Sequence, residues 1–120
     1  WSPLAQGILT GKYTDAKHPP KGTRAAGPAA EMMEDFFTQP VLDAVQRLLP
    51  VVKRSGRSLP EIALAWCLRQ PAVTSVIVGA TSVRHVEENL RAAESPVDSA
   101  IFEEVERILA PALVEEPYIA

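Results

Sequence analysis

The chain has 120 residues, 47% of them apolar and 22% charged, with a net charge of −3, which is room for one globular domain and not for two. No apolar run approaches the ~18 residues of a membrane span, and Trp1-Ser2-Pro3 opens no leader peptide. The acidic balance argues against a general nucleic-acid partner, and the single cysteine, Cys67, excludes an internal disulfide framework and fits a reducing, cytoplasmic compartment.

Residues 1–14 carry a short apolar stretch around Pro3-Leu4 followed by Gly7 and Gly11, which reads as a strand end running into a loop. Residues 15–35 hold Pro19-Pro20, Gly22 and Gly27-Pro28 with few large apolar side chains, a loop of a length that is usually functional or disordered. This loop region is basic on an otherwise acidic chain: Lys12, Lys17, Lys21 and Arg24 face Asp15 alone between residues 11 and 24, whereas 94–116 is rich in glutamate. Such a loop suits a small anion, although a solvated surface loop would look the same.

A helix is expected from about Thr38 to Ser55. Thr38 is placed to cap it, Pro40 suits the first turn, and Val41, Leu42, Val45, Leu48, Leu49 and Val52 form an apolar stripe. Pro50 should kink it and Gly56 should end it. Ser58-Leu59-Pro60-Glu61 has the capping-box pattern for a second helix, which continues to about Gln70 and stops at Pro71. Thr74–Val78 is short, β-branched and unbroken, the pattern of a parallel strand buried on both faces, with Gly79 at its end. Ser82 caps a third helix reaching about Ala93, with Val83, Val86 and Leu90 on one face. Asp98 or Ser99 starts a fourth that runs to Ala110-Pro111. The first residue is not Met and the opening lies in a strand end, so the chain is expected to be part of something longer.

The most informative local pattern is Val76-Ile77-Val78-Gly79-Ala80-Thr81-Ser82 leading into a helix. A glycine turn and a hydroxyl-capped helix start place free backbone N–H groups beside the positive end of the helix dipole, which suits a phosphate. An ordinary capped helix would read the same way. Gly7–Tyr13 looks at first like a phosphate-binding P-loop, but it has three residues between its glycines instead of four, and Tyr13 follows Lys12 where a hydroxyl residue should reach the metal. Nucleoside-triphosphate hydrolysis is rejected on that ground. His18, His85 and Cys67 have no metal-ligand spacing, and Ser2, Thr81 and Ser82 have no neighbouring histidine to act as base.

Several motifs together resemble aldo-keto reductases. Trp1–Tyr13 is similar to the family's seventh-strand segment and Leu59–Arg69 to the helix after it. Thr74–Thr81 and Val86–Leu90 are similar to the eighth strand and its helix. The resemblance is to the branch of bacterial general-stress reductases and potassium-channel β-subunits. It implies an α/β fold, the C-terminal fragment of a (β/α)8 TIM barrel from the end of strand 7 through helix 8 plus a C-terminal helix. Residues 1–120 would then be a partial oxidoreductase domain that binds NADPH and acts on a small-molecule carbonyl substrate.

Carried over by position, the resemblance puts Trp1 and Ser2 at the nicotinamide-ribose end and Pro3, Leu4 and Gln6 along the pyrophosphate. Lys12 and Arg24 meet phosphate charge, and Gly79 and Thr81 meet the adenosine 2′-phosphate region. His85, Glu88 and Asn89 contact the adenine or its ribose; the family commonly has glutamine or arginine where this chain has His85. The family's catalytic Asp, Tyr, Lys and His come from the first half of the barrel, and no residue here matches them. The resemblance leaves two readings open, an NADPH-dependent carbonyl reductase and a non-catalytic NADPH-binding regulatory subunit.

Overall fold

A computed structural model describes residues 2–113. Four helices form its frame: α1, Gln39–Ser55; α2, Leu59–Leu68; α3, Val83–Glu94; and α4, Ser99–Leu109. Short 3₁₀ segments occupy Ala5–Thr10, Arg24–Ala26, Ala30–Met33 and Ala110–Ala112.

The helix starts follow local side-chain chemistry. Ser58 Oγ accepts from the Glu61 amide at 3.3 Å while Glu61 Oε2 accepts from the Ser58 amide at 3.0 Å, a reciprocal capping box. Ser82 and Asp98 cap α3 and α4 by accepting from the amides of His85 and Ala100. The expected cap at Thr38 is not made: its side chain forms no cap hydrogen bond. Pro40 lies in the first turn of α1, where a missing N–H costs nothing, and Gly56 ends that helix at φ 68°. The helix runs through Pro50 to Ser55.

α1 is the centre of the core. Leu42, Val45, Leu48 and Val52 are buried on one stripe and meet Ile8, Tyr13 and Met33 from the N-terminal loops, Leu59 and Ile62 from α2, and Phe102 and Val105 from α4. α2 packs on α3 and α1 on α4. Polar links fix these pairings at their edges. Arg54 donates twice to the Glu104 carboxylate, at 2.9 and 2.7 Å, joining α1 to α4. The Trp66 indole N–H donates to Glu106 at 2.6 Å and Arg69 pairs with the same carboxylate, with its guanidinium 4.8 Å from the Phe102 ring. These join α2 to α4.

Glu61 ties α2 to α3. It is 4% exposed, and its Oε1 accepts from Arg91 Nε at 2.5 Å. Burial works against its ionisation, but the Arg91 guanidinium and the Ser58 amide outweigh that penalty and hold its carboxyl below the usual carboxylate range. A carboxylate with a lowered folded-state pKa stabilises the fold above its ordinary value of 4.5. That stability is lost as pH falls through the lowered value. Glu61→Gln, which can still close the capping box, is therefore expected to cost about 1 kcal/mol at neutral pH, because Arg91 is half-exposed and solvent screens the pair. The difference from wild type in urea midpoint should shrink as pH drops below 4.5. A pH-independent difference would show that the ion pair is not its source.

Two expectations about strands are corrected. Among the described residues there is no β-strand: Thr74–Val78 has no regular secondary structure, and the segment expected to be a strand end is a 3₁₀ region over Ala5–Thr10. The doubly buried strand is also not buried, since Ile77 is 90% exposed and Val78 lies at the surface. The physical reason is the same for both. A helix closes its hydrogen bonds within itself, whereas a strand needs the N–H and C=O groups of a neighbour, and none is supplied within residues 2–113. The observed architecture is therefore helical where an α/β fold was expected. The apolar face of α3 formed by Val83, Val86 and Leu90 is at the surface together with Ile77.

Candidate functional site

Three stretches far apart in the chain surround an open cleft of about 870 Å³. One wall is the N-terminal loop, the second is the 77–81 segment with the first turns of α3, and Arg24 reaches in from the long basic loop. The floor is built by Leu49 and Val52 of α1 and by Ser58, Leu59 and Pro60 at the start of α2.

The N-terminal wall has an unusual backbone. Ser2, Ala5 and Gln6 have φ of 52°, 46° and 56°, a region that non-glycine residues rarely occupy and that is over-represented at binding sites. Gln6 Nε2 donates to Ser2 Oγ at 2.6 Å and closes this turn across its own base. Ser2, Pro3, Leu4 and Gln6 all line the cleft.

Lys12 is set in place by its neighbours. Its Nζ lies 5.1 Å from the centre of the Tyr13 ring, within cation–π range, and Tyr13 is itself buried with its ring edge-on to Phe37 at 5.0 Å. On the other side the ammonium sits over Gly7, where a Cβ would come to 3.3 Å from Nζ and where φ is +98°. Gly7 thus serves both the turn and the close approach of the lysine. Beneath them, Gln46 of α1 donates to the carbonyls of Gly11 and Tyr13 at 2.9 and 3.1 Å, fastening the loop to the core.

On the opposite wall, Gly79 is open, with nothing within 4 Å of where a Cβ would stand. The Thr81 amide donates to His85 Nδ1 at 3.4 Å and the Thr81 hydroxyl lies 3.3 Å from the same nitrogen. His85, Glu88 and Asn89 follow on the cleft side of α3. The structure thus brings Ser2, Pro3, Leu4, Gln6, Lys12 and Arg24 to the same cleft as Gly79, Thr81, His85, Glu88 and Asn89. Trp1, also expected at the site, lies outside the described residues.

Besides the floor, the lining includes a charged residue that was not expected at the site from the sequence. Arg84 stands in the first turn of α3, with Nη1 3.8 Å from Glu88 Oε1. Its signal in the sequence was a cation at a helix start, where the dipole disfavours it. With Arg84 the cleft holds three fixed cations, Lys12, Arg24 and Arg84, against Glu88, on a chain whose net charge is −3. The charge excess, the free N–H groups at the start of α3 and the cleft's size suit an organic ligand bearing phosphate.

Outside the cleft, Cys67 is half-buried and burial pushes its thiol pKa up, which disfavours the reactive thiolate. Among the described residues no group of three His, Cys, Asp or Glu side chains could hold a metal ion, and no helix is long and apolar enough to cross a membrane.

Residues 1–110 match the aldo/keto reductase family. Curated relatives include a probable voltage-gated potassium channel subunit beta of Arabidopsis thaliana, 37% identical over 94 residues that make up 78% of this chain and 29% of the relative. A protein of Oryza sativa with the same description shows the same identity and coverage. A putative voltage-gated potassium channel subunit beta of Schizosaccharomyces pombe is 32% identical over 114 residues, 91% of this chain and 33% of the relative. The chain thus spans about a third of the length of the curated relatives it matches. It belongs to the aldo/keto reductase family.

Proposed function

We propose that this chain supplies the phosphate-facing end of an NADPH site in a cytoplasmic carbonyl reductase of the aldo-keto reductase type. In that protein the rest of a (β/α)8 barrel would pair with Thr74–Val78 and cover the apolar face of α3. The observation that carries the reading is the convergence of residues 2–12, Arg24 and 79–89 on one cation-rich cleft. Lys12 and Arg24 offer charge-assisted donors to phosphate oxygens, and Asn89 offers both a donor and an acceptor to an adenine edge. When bound, the cofactor supplies the hydride. The residues of this chain bind and orient it, and the acid that protonates the carbonyl oxygen would come from the barrel's other half.

A second reading, a non-catalytic NADPH-binding regulatory subunit, is supported by the relatives described as potassium channel β subunits. Titration of the protein with NADPH and NADH, followed by tryptophan and cofactor fluorescence, tests both readings. Saturable binding with NADPH preferred is the expected result. No response at millimolar cofactor would end both readings in favour of a helical interaction module. Turnover of an aldehyde by the NADPH-bound protein separates the enzyme from the sensor.

A further inference from the structure

Gln46 is half-buried on α1, and its Nε2 donates to the carbonyl of Gly11 at 2.9 Å and to that of Tyr13 at 3.1 Å. An amide NH2 has two hydrogens, so both donors are spent on one short stretch of backbone. The two carbonyls belong to the peptide groups just before Lys12 and just after Tyr13. The bracketed pair is the one whose side chains meet in the cation–π contact, with Lys12 Nζ 5.1 Å from the ring centre. Gly11 allows this approach: its φ is 76°, and a Cβ there would come to 3.3 Å from Leu49, so the loop lies directly on α1. Gln46, Gly11 and Tyr13 do not line the cleft, whereas Lys12 does. Among the described residues no carboxylate pairs with Lys12, so its long stem is ordered by the Tyr13 ring and the backbone around it. Gln39, two turns earlier on α1, ties the next stretch: it donates to the Thr14 carbonyl at 3.0 Å and accepts from the Ala16 amide at 3.0 Å, outside the bracket.

Resting on the dinucleotide reading, we infer that Gln46 is a positioning residue for Lys12: a neutral amide outside the cleft sets the lysine that meets the ligand's phosphate charge. With the bracket closed, the peptide groups on either side of Lys12-Tyr13 are fixed, the ring stays beside the ammonium, and the ligand meets a lysine already in place. With the bracket open, binding must first order a long flexible side chain, which weakens affinity although no contact to the ligand is removed. Gln46 and Lys12 thus act as one unit, and their contributions to affinity do not add.

A mutant cycle on NADPH binding by the whole protein carrying this sequence tests this, with circular dichroism and urea midpoints as the check of folding. Lys12→Met is expected to cost the wild type about tenfold in affinity, the size of one charge-assisted contact. Gln46→Met keeps the shape of the side chain and loses both donors, and it should weaken NADPH about three- to tenfold, the cost of ordering one long side chain on binding. In that background the further loss on Lys12→Met should shrink to about threefold or less. Gln46→Asn, one methylene shorter, opens the bracket more gently and should reduce the Lys12→Met loss in the same direction, so a poorly folding Gln46→Met leaves a second measure. Gln46→Lys, whose ammonium can donate to both carbonyls, should restore the full loss. Gln39→Met, which loosens the loop outside the bracket, should leave that loss whole. The same Lys12→Met loss in every Gln46 background, or a Gln39→Met background that reduces it as much as Gln46→Met, would overturn the bracket and leave the dinucleotide reading standing. Wild-type protein that does not bind NADPH would overturn both.

Discussion

Removing both loop cations, Lys12→Ala with Arg24→Ala, is expected to weaken NADPH binding by about a hundredfold, roughly tenfold for each charge-assisted phosphate contact if the two act independently. NADH should lose clearly less, because it lacks the 2′-phosphate, which we propose is among the charges these two side chains meet. The two cations reach the cleft by different routes. Lys12 is held between the Tyr13 ring and Gly7 on a loop pinned by Gln46, whereas Arg24 comes from a short 3₁₀ turn in the long basic loop. The lysine is thus the better pre-organised of the two, and its single substitution should account for the larger share. Dissociation constants for both cofactors, measured over a range of salt, check this, and the NADPH effect should fade as salt rises. Equal losses for NADH and NADPH would defeat the 2′-phosphate assignment of these residues.

The largest stability effect should come from α1. Leu48 is 1% exposed at the point where α1 meets its neighbours, and Leu48→Ala is expected to cost about 3 kcal/mol through lost apolar transfer and the cavity left behind. Leu49, the next residue, is 40% exposed and its truncation should cost well under half as much. Urea midpoints of the two variants give the comparison directly. Similar losses at both positions would mean that Leu49 is covered in the native protein as fully as Leu48.

The helices were legible in the sequence because their causes are local. Ser58 and Glu61, Ser82 and Gly56 mark boundaries through contacts within a turn of themselves, and the stripe of α1 has the helical period. Even so, Thr38 has the right residue type for a cap and makes none, so identity and position do not guarantee the bond. Thr74–Val78 failed for a different reason. Its β-branched run reports what the segment suits, but a strand forms only where a neighbour completes the ladder, and the neighbour is not specified by those five residues.

At the site, the family motifs brought both walls into view, since their residues are read position by position. The floor was not legible: Leu49 and Val52 lie in what reads as a core stripe, and only the folded chain shows that they also underlie the cleft. Arg84 was missed because the family resemblance gives roles to the positions of His85 and Glu88 and none to its own. Its meaning depends on a carboxylate one helical turn away and on the space in front of both.

The two walls of the cleft also lie far apart along the chain, with α1 and α2 between them. A molecule that grips Lys12 on one side and Thr81 on the other therefore acts as a non-covalent staple across a large loop of polypeptide. Such a clasp restrains the open chain more than any short-range contact could, and its benefit varies only slowly with the length of chain enclosed. Occupancy should therefore firm up the long basic loop as well as the residues touched, linking the heat tolerance of the protein to the concentration of its ligand.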